Sequence, residues 1–534
     1  MNSWTSVNAL YQIYPRSFFD TNDDGVGDLQ GIIQKLDYLK GSKDSLGIDA
    51  IWISPFYPSP MKDFGYDVAD YRGVDPIFGN LHDFKQLLEE AHARDIKVMI
   101  DYVPNHTSDQ HEWFKESRSS RENPKRDYYV WRDPKPDGSP PNNWVSIFGG
   151  PAWTLDKKTG QYYLRSFLSS QPDLNWANPK VEQEMQDVLR YWLDMGVDGF
   201  RADAVWHLSR DEQMRDDPRW SSKGDGTQYW EYTHKYCKYG PHLFEYLSAM
   251  ADVIASYDDR FIVYEHYPDP AHGESVAQYR SFYDVNPAVA APFNFEGMYK
   301  KWGAADYEQY IRDFSEILSK DDLPIFCFSN HDQTRIVTRF GREQSRLIAM
   351  LQLTLPGMPT IYYGDEIGME DGVILPEQAQ DPSVGDNEMG GRDPERTPMQ
   401  WTDGQNAGFS AHEPWLPVAE SHKLYNVASE LQKDDSHLVL YRELLRLRSE
   451  TSIFTKGTID IIHSKKSLNI LAYERSGKEG TYRIILNFAN APRDVFVSYN
   501  AEVVLSTRPN HLPPITDHGE LVLGPYEGVI VKLT

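Results

Sequence analysis

Two cysteines in 534 residues, Cys237 and Cys327, leave no material for a disulfide framework. Far apart and in dissimilar contexts, they read as reduced thiols, and a cytoplasmic compartment is expected. No apolar run reaches the ~20 residues that span a bilayer. The opening stretch Met-Asn-Ser-Trp-Thr-Ser-Val-Asn-Ala-Leu has neither the basic start nor the apolar centre of a signal peptide, so no membrane role is expected. Positive charge is also in deficit. With 54 Lys and Arg against 80 Asp and Glu, the net charge of −26 argues against nucleic acid and anionic surfaces and for a small neutral substrate. Internal repeats and low-complexity tracts are absent, which excludes solenoid and fibrous architectures.

What is present is an alternation of short apolar strands with amphipathic helices, the pattern of a parallel sheet covered by helices. Strands are expected at Asn8 to Phe19, Ile48 to Phe56, Lys97 to Val103, Val197 to Val205, Phe261 to Tyr264, near Ala291 to Phe295, at Pro324 to Phe328 and at Thr360 to Tyr363. Phe84, Leu87, Leu88 and Ala91 mark the buried face of one helix. Asn178 and Pro179 open another as N-cap and first residue, and Gly196 closes it. The fold class is therefore α/β, a (β/α)₈ barrel at residues 1–104 and 174–455. Residues 105–173, dense in Pro, Gly, Asn and aromatics, form a loop-rich insertion after the third strand. Residues 456–534 turn to strands alone, including Leu468 to Tyr473, Tyr482 to Phe488, Val495 to Tyr499 and Val529 to Leu533, and read as an antiparallel β-sandwich. The stretch from Met369 to Trp401 is too long for a connector and reads as functional.

In an eight-fold barrel the chemistry sits at the C-terminal strand ends. Four of these are unusually polar: Asp101-Tyr-Val-Pro-Asn-His106, Gly199-Phe-Arg201-Ala-Asp203, Tyr264-Glu265-His266 and Asn330-His331-Asp332. One buried carboxylate is readily a structural partner of an Arg; four such ends together call for chemistry. Glycosidic cleavage needs two carboxyls flanking the scissile bond, and a covalent mechanism sets them roughly 5–5.5 Å apart. Asp203 and Glu265, on adjacent strands, are the candidate pair. Asp20-Thr-Asn22-Asp-Asp24-Gly25-Val-Gly-Asp28 spaces oxygen ligands as a hard-cation loop does, so Ca²⁺ or Mg²⁺ on Asp20, Asn22, Asp24 and Asp28 is expected, away from the chemistry.

These motifs, with Gln171-Pro-Asp-Leu-Asn175, resemble the α-amylase superfamily of glycoside hydrolases (family 13), and within it the oligo-1,6-glucosidase and α-glucosidase group, over nearly the whole chain. The resemblance implies Asp203 as nucleophile, Glu265 as general acid/base and Asp332 as the carboxylate that grips the sugar. Arg201, two residues from Asp203 on the same strand face, is expected to keep the nucleophile ionised. Glu265 is expected among aromatics such as Tyr264 and Tyr267, which would raise its pKa. His106 and His331 correspond to donors to sugar hydroxyls, Tyr66 to the stacking tyrosine, and Phe148 and Phe167 to pocket-wall residues. In similar exo-acting enzymes an Asp in the position of Asp63 pairs with an Arg, here assigned to Arg396, and closes the pocket behind one terminal glucose.

Tyr264 stands where the family usually has Gly, and Cys327 where it has an aromatic. Ala204 follows the nucleophile where Val accompanies α-1,6 specificity, and so points to α-1,4 or broad linkage; Trp206-His207 replaces the Lys-His of endo-acting amylases and favours short substrates. The expected function is thus a retaining, exo-acting α-glucosidase on small neutral α-glucosides. A glucosyltransferase or sucrose-acting enzyme using the same intermediate is the alternative, and a non-catalytic, membrane-anchored relative fits worse because the carboxyls are present.

Overall fold

The computed structural model describes residues 3–220, 223–382, 391–462, 468–498 and 500–533. Eight parallel strands build the centre: β1 (Leu10–Ile13), β2 (Ala50–Ile53), β3 (Lys97–Tyr102), β4 (Gly199–Ala202), β5 (Phe261–Tyr264), β6 (Ala290–Asn294), β7 (Ile325–Phe326) and β8 (Thr360–Tyr362). Their order is β7-β6-β5-β4-β3-β2-β1-β8, and a parallel bridge from Cys327 to Thr360 joins the two ends into a barrel. Nearly every strand residue is buried, because helices cover the outside and side chains fill the inside. The small Cys327 lies at this seam.

The helical signals of the sequence map directly onto structure. Helix Leu81–His92 buries Phe84, Leu87, Leu88 and Ala91. Helix Pro179–Met195 starts with the Asn178 side chain accepting from the Lys180 amide and stops at Gly196, whose φ of 111° suits glycine. The first strand is shorter than expected: Pro15 opens a one-turn helix, Pro15–Phe18, since its fixed φ fits the first position of a helix better than a central strand.

Between β3 and β4 the chain leaves the barrel, and bridges His106–Asp173 and Tyr129–Leu174 form the stem of the excursion. It carries a small sheet of Trp131–Arg132, Gln161–Leu164 and Trp153–Asp156. Its separate apolar cluster includes Trp144, Trp153 and Leu164 together with Cys237 from the loop after β4, so that loop and the excursion pack as one wall.

Beyond helix His437–Glu450 lies a five-stranded antiparallel sheet, ordered Thr458–Ile462, Ile470–Gly477, Gly480–Asn487, Gly528–Leu533, Ala501–Ser506. Leu471, Tyr473, Ile484, Leu486 and Ile530 face the barrel core, while Ile470, Ala472, Ile485, Val529 and Val531 face a ribbon of Arg493–Phe496 and Glu520–Leu523. That is the two-sided alternation of a sheet buried on both faces. Tyr499, at the end of one expected strand, lies outside the described residues. Among the described residues no helix is long and apolar enough to cross a membrane. Cys237 and Cys327 are both buried free thiols.

Candidate active site

Period-two alternation puts Arg201 and Asp203 on one face at the end of β4, pointing into the barrel mouth. The Arg201 guanidinium, 1% exposed, is the hub of the site. Its Nη1 lies 2.7 Å from Asp101 Oδ1 and 2.6 Å from Asp203 Oδ1, and its Nη2 lies 2.6 Å from Glu265 Oε1. Asp101 is held from the other side by the Trp52 indole N–H at 2.8 Å. The second Glu265 oxygen accepts the Ala204 amide at 2.7 Å. Ala204 achieves this in the left-handed region, φ 45°, a conformation that costs a non-glycine residue of order 1–3 kcal/mol and is tolerated at sites that need it.

Asp332, at the end of β7, faces the same space. Its Oδ1 accepts from Arg396 Nη2 at 2.8 Å and Arg392 Nη1 at 3.2 Å, and its Oδ2 lies 3.4 Å from His331 Nε2. The Gln12 amide sits 2.8 Å from His331 Nδ1, and Tyr66 Oη 2.7 Å from Nε2. An amide NH₂ can only donate, which leaves the proton on Nε2, toward the cavity. The Tyr66 and His331 rings are parallel within 4°.

Burial dominates the electrostatics, and the carboxyls divide sharply. Glu265 is pushed well above its ordinary value by desolvation, against the pull of Arg201 and with the help of the Asp203 charge. Asp203 is also raised, to about 6: burial outweighs Arg201, and Asp332 adds to it. The ion pair that the sequence implies is present, but it moderates a raised pKa instead of setting a low one. For Asp332 the balance reverses. Burial raises it, yet His331, Arg392, Arg396 and Arg201 together hold it well below the carboxylate range. Burial keeps His331 near 3 and lowers His106, so both imidazoles are neutral.

Two expectations are corrected. Asp63 pairs with Arg392, Nη2 to Oδ1 at 2.8 Å, and not with Arg396. Arg396, fully buried in the turn Pro394–Arg396, reaches back to the His331 carbonyl at 2.7 Å and to Asp332, behind the cavity lining. Arg392 is further anchored by Asp381 at 2.9 Å, and Asp63 by the Gln171 amide at 2.9 Å. Tyr264 does not surround Glu265: its neighbour in the strand must point the opposite way, and its hydroxyl donates to the Leu247 carbonyl at 2.8 Å on the helix side. Tyr267 does line the site.

These groups open on a cavity of about 690 Å³ that brings together Asp63, Tyr66, His106, Phe148, Phe167, Asp203, Glu265, His331, Asp332 and Arg392. Phe167 lies 4.9 Å from the His106 ring, and Phe148 stands under the Arg392 guanidinium at 5.4 Å. Sequence reasoning missed Tyr229 and Lys238 in this lining, together with Tyr299 and Glu395. The first two belong to the long stretch between β4 and helix Leu243–Ala255, whose length is the signal that marks such loops. One blind side closed by an ion pair and one open, aromatic side suit a ligand that enters end-on.

The acidic loop is folded around its own amides. Asp20 Oδ1 accepts from the Asn22 and Asp23 amides at 3.0 and 2.9 Å, its Oδ2 from Gly25 at 2.8 Å, and Asp24 Oδ1 from Val26 at 2.8 Å. Among the described residues Asp20, Asp24 and Asp28 do not bring one carboxylate oxygen each within 4.8 Å of the others. Asp28 ends the loop and caps helix Leu29–Leu39 through the Gly31 amide at 2.7 Å.

A model described as "Alpha amylase, catalytic domain" matches residues 12–457. The Oligo-1,6-glucosidase of Heyndrickxia coagulans is 40% identical over 512 residues, covering 86% of this chain and 88% of that protein. A probable alpha-glucosidase of Rhizobium meliloti (strain 1021) is 42% identical over 483 residues, covering 87% and 86%. Among solved structures, an alpha-glucosyl transfer enzyme, XgtA, superposes with a TM-score of 0.91 at 37% identity over 100% of both chains. The trehalulose synthase MutB from Pseudomonas mesoacidophila MX-45 does so at 0.87 and 35%, over 99% of each.

Proposed function

The chain belongs to the α-amylase family, and from that membership and the site we propose that it is a retaining, exo-acting α-glucosidase that releases glucose from the non-reducing ends of short α-glucosides. The observation that carries this reading is one guanidinium, Arg201, bridging Asp203 and Glu265 at the floor of the cavity. A shared cation keeps the two carboxyls close, as a covalent mechanism needs, whereas direct attack by an interposed water needs them farther apart.

In this mechanism Asp332, held ionised, and the neutral His331 and His106 grip hydroxyls of the terminal glucose, with Tyr66, Phe148 and Phe167 against its apolar faces. Glu265 gives its proton to the glycosidic oxygen while Asp203 attacks the anomeric carbon from the opposite side. The C–O bond to the leaving sugar breaks and an ester to Asp203 forms. Water then enters, Glu265 takes its proton, and the hydroxide oxygen displaces Asp203 with a second inversion. Asp203 must be ionised and Glu265 protonated at the start. The sign of the pH dependence follows: kcat/KM falls as pH drops through the raised pKa of Asp203, about 6, and falls again at high pH as Glu265 loses its proton. An acid limb near the ordinary carboxylate value of about 4, measured on a chromogenic α-glucoside, would contradict this assignment.

The Asp63–Arg392 pair closes the pocket behind the glucose. Truncating one partner of a buried pair costs about 2–5 kcal/mol, so Arg392→Ala is expected to lower kcat/KM on maltose on the order of 10²-fold, and less on longer maltooligosaccharides that gain room. Equal kinetics on maltose would remove the pair from the account.

Ala204 next to the nucleophile supports a preference for α-1,4 bonds. Incubation with maltose, isomaltose, sucrose and trehalose, following glucose and new oligosaccharides, tests the whole reading; it fails if no α-glucoside is cleaved or transferred. Transfer of the glucosyl group to a sugar hydroxyl is the second reading. It is favoured by the aromatic open side, where Trp206 and Tyr267 meet edge-on at 5.7 Å and Tyr267 stacks on Phe295 at 4.6 Å.

A Ca²⁺ or Mg²⁺ held by Asp20, Asn22, Asp24 and Asp28 supports the fold beside the barrel mouth and takes no part in the chemistry. Chelation is expected to lower the thermal midpoint by about 1 °C for each kcal/mol of binding lost in a chain of 534 residues, and re-added cation to restore it. An unchanged midpoint after complete chelation would count against the site.

A further inference from the structure

The loop between β4 and helix Leu243–Ala255 brings together three side chains that the reaction does not use. Arg219 and Tyr232 bridge as an antiparallel pair, and the Thr233 amide donates to the Pro218 carbonyl at 2.9 Å. This hairpin sets Asp217, just before it, against His234 and Cys237, just after it. All three are buried, at 3%, 6% and 7% exposure, and one donor atom of each lies within 4.8 Å of the others.

The individual atoms are arranged for coordination. His234 Nε2 is 2.8 Å from the Tyr229 carbonyl, an acceptor only, which fixes the proton on Nε2 and leaves the Nδ1 lone pair facing Cys237 Sγ at 3.6 Å. Orientation of a ligating imidazole by a backbone carbonyl is the usual second contact at metal sites. With Zn–S near 2.3 Å and Zn–N near 2.0–2.1 Å, a tetrahedral centre needs sulfur and nitrogen roughly 3.6 Å apart. Asp217 accepts the Tyr236 amide through Oδ1 at 2.6 Å, and the Cys237 thiol donates to its carboxylate, so carboxylate and sulfur already face each other. The neighbouring Lys238 ammonium does not block a cation, because Asp269 pairs with it at 2.7 Å.

We propose that Asp217 Oδ2, His234 Nδ1 and Cys237 Sγ bind a borderline-soft divalent cation of the Zn²⁺ class, with water in the fourth position. Thiolate, imidazole and carboxylate together select Zn²⁺ over the oxygen-seeking Ca²⁺ and Mg²⁺ of the acidic loop. On binding, the Cys237 thiol releases its proton to water and the sulfur takes the metal. The site stands behind the substrate pocket's wall: the His234 ring stacks on Tyr229 with centroids 3.5 Å apart, and Tyr229 and Lys238 line the cavity.

The test uses the full-length protein, stripped with chelator and titrated with Co²⁺ and then Zn²⁺. A thiolate-to-cobalt charge-transfer band and tetrahedral visible bands are expected to saturate at one equivalent and to be abolished by Zn²⁺. Cys237→Ser is expected to lose the band and to bind Zn²⁺ more than roughly 100-fold more weakly, beyond the cost of losing an outer-sphere contact. Asp217→Asn is expected to weaken binding, and Cys327→Ser to leave it unchanged. The acidic loop has no sulfur and cannot give the band. Its absence in the wild-type protein, or its survival in Cys237→Ser, would overturn the proposal whatever the folding of the variants.

Discussion

Asp203→Asn is expected to lower kcat on maltose on the order of 10⁵-fold, the scale seen when an enzyme loses its nucleophile. That is about 7 kcal/mol of transition-state stabilisation at 1.36 kcal/mol per decade. The amide keeps the size of the carboxylate and still accepts a hydrogen bond from Arg201, but it cannot form an ester with the anomeric carbon. Arg201 retains Asp101 at 2.7 Å and Glu265 at 2.6 Å, so the buried guanidinium keeps two hydrogen-bond acceptors and the fold is expected to persist. Steady-state kinetics with circular dichroism as a fold check measures this. Activity within tenfold of the parent would refute the assignment.

The second large effect separates the two half-reactions. Glu265→Gln is expected to lower turnover of maltose by about 10²–10⁴-fold, the range of general acid–base catalysis. With α-glucosyl fluoride, whose leaving group needs no proton, the first half-reaction is expected to survive as a burst, followed by slow hydrolysis because no base activates water. Azide, a nucleophile that needs no base, is expected to restore turnover and appear in an α-glucosyl product. No such rescue is expected for Asp203→Asn on that retaining path. Equal losses on maltose and on the fluoride would remove the proton-donor role from Glu265.

Legibility in the sequence follows from how local each relation is. Arg201 and Asp203 are two residues apart in a strand, so period-two alternation alone places them together. Strand ends of a closed barrel converge whatever joins them, which makes Glu265 and Asp332 readable once the strands are found. The Arg that meets Asp63 depends on the path of an irregular loop. Arg392 and Arg396 are four residues apart, and only the turn Pro394–Arg396 decides that one faces the cavity and the other backs Asp332. Ala204 carries no sign of its left-handed backbone, as a glycine there would have done. Tyr229 and Lys238 sit in a loop without periodicity, and their placement rests on the hairpin between Arg219 and Tyr232. In the C-terminal region, Glu520–Leu523 alternates exposed and buried residues in a four-residue edge ribbon, too short a run to stand out from its surroundings.

The same contrast sets the energetics of the site. Asp203 and Glu265 share Arg201 while Asp332 is held by Arg392 and Arg396, and these different balances of burial and charge leave Asp332 ionised and Asp203 and Glu265 raised. Environments that push carboxyl pKa values apart separate acid from nucleophile. In the proposed mechanism the closed end of the pocket, where Asp63 meets Arg392 at 2.8 Å, is what selects for length.

The most direct test of the covalent mechanism is mass spectrometry of peptides from Glu265→Gln protein quenched after exposure to α-glucosyl fluoride. One added glucosyl unit is expected on the peptide that contains Asp203. An unmodified protein, or a glucosyl unit on any other carboxylate, would contradict it.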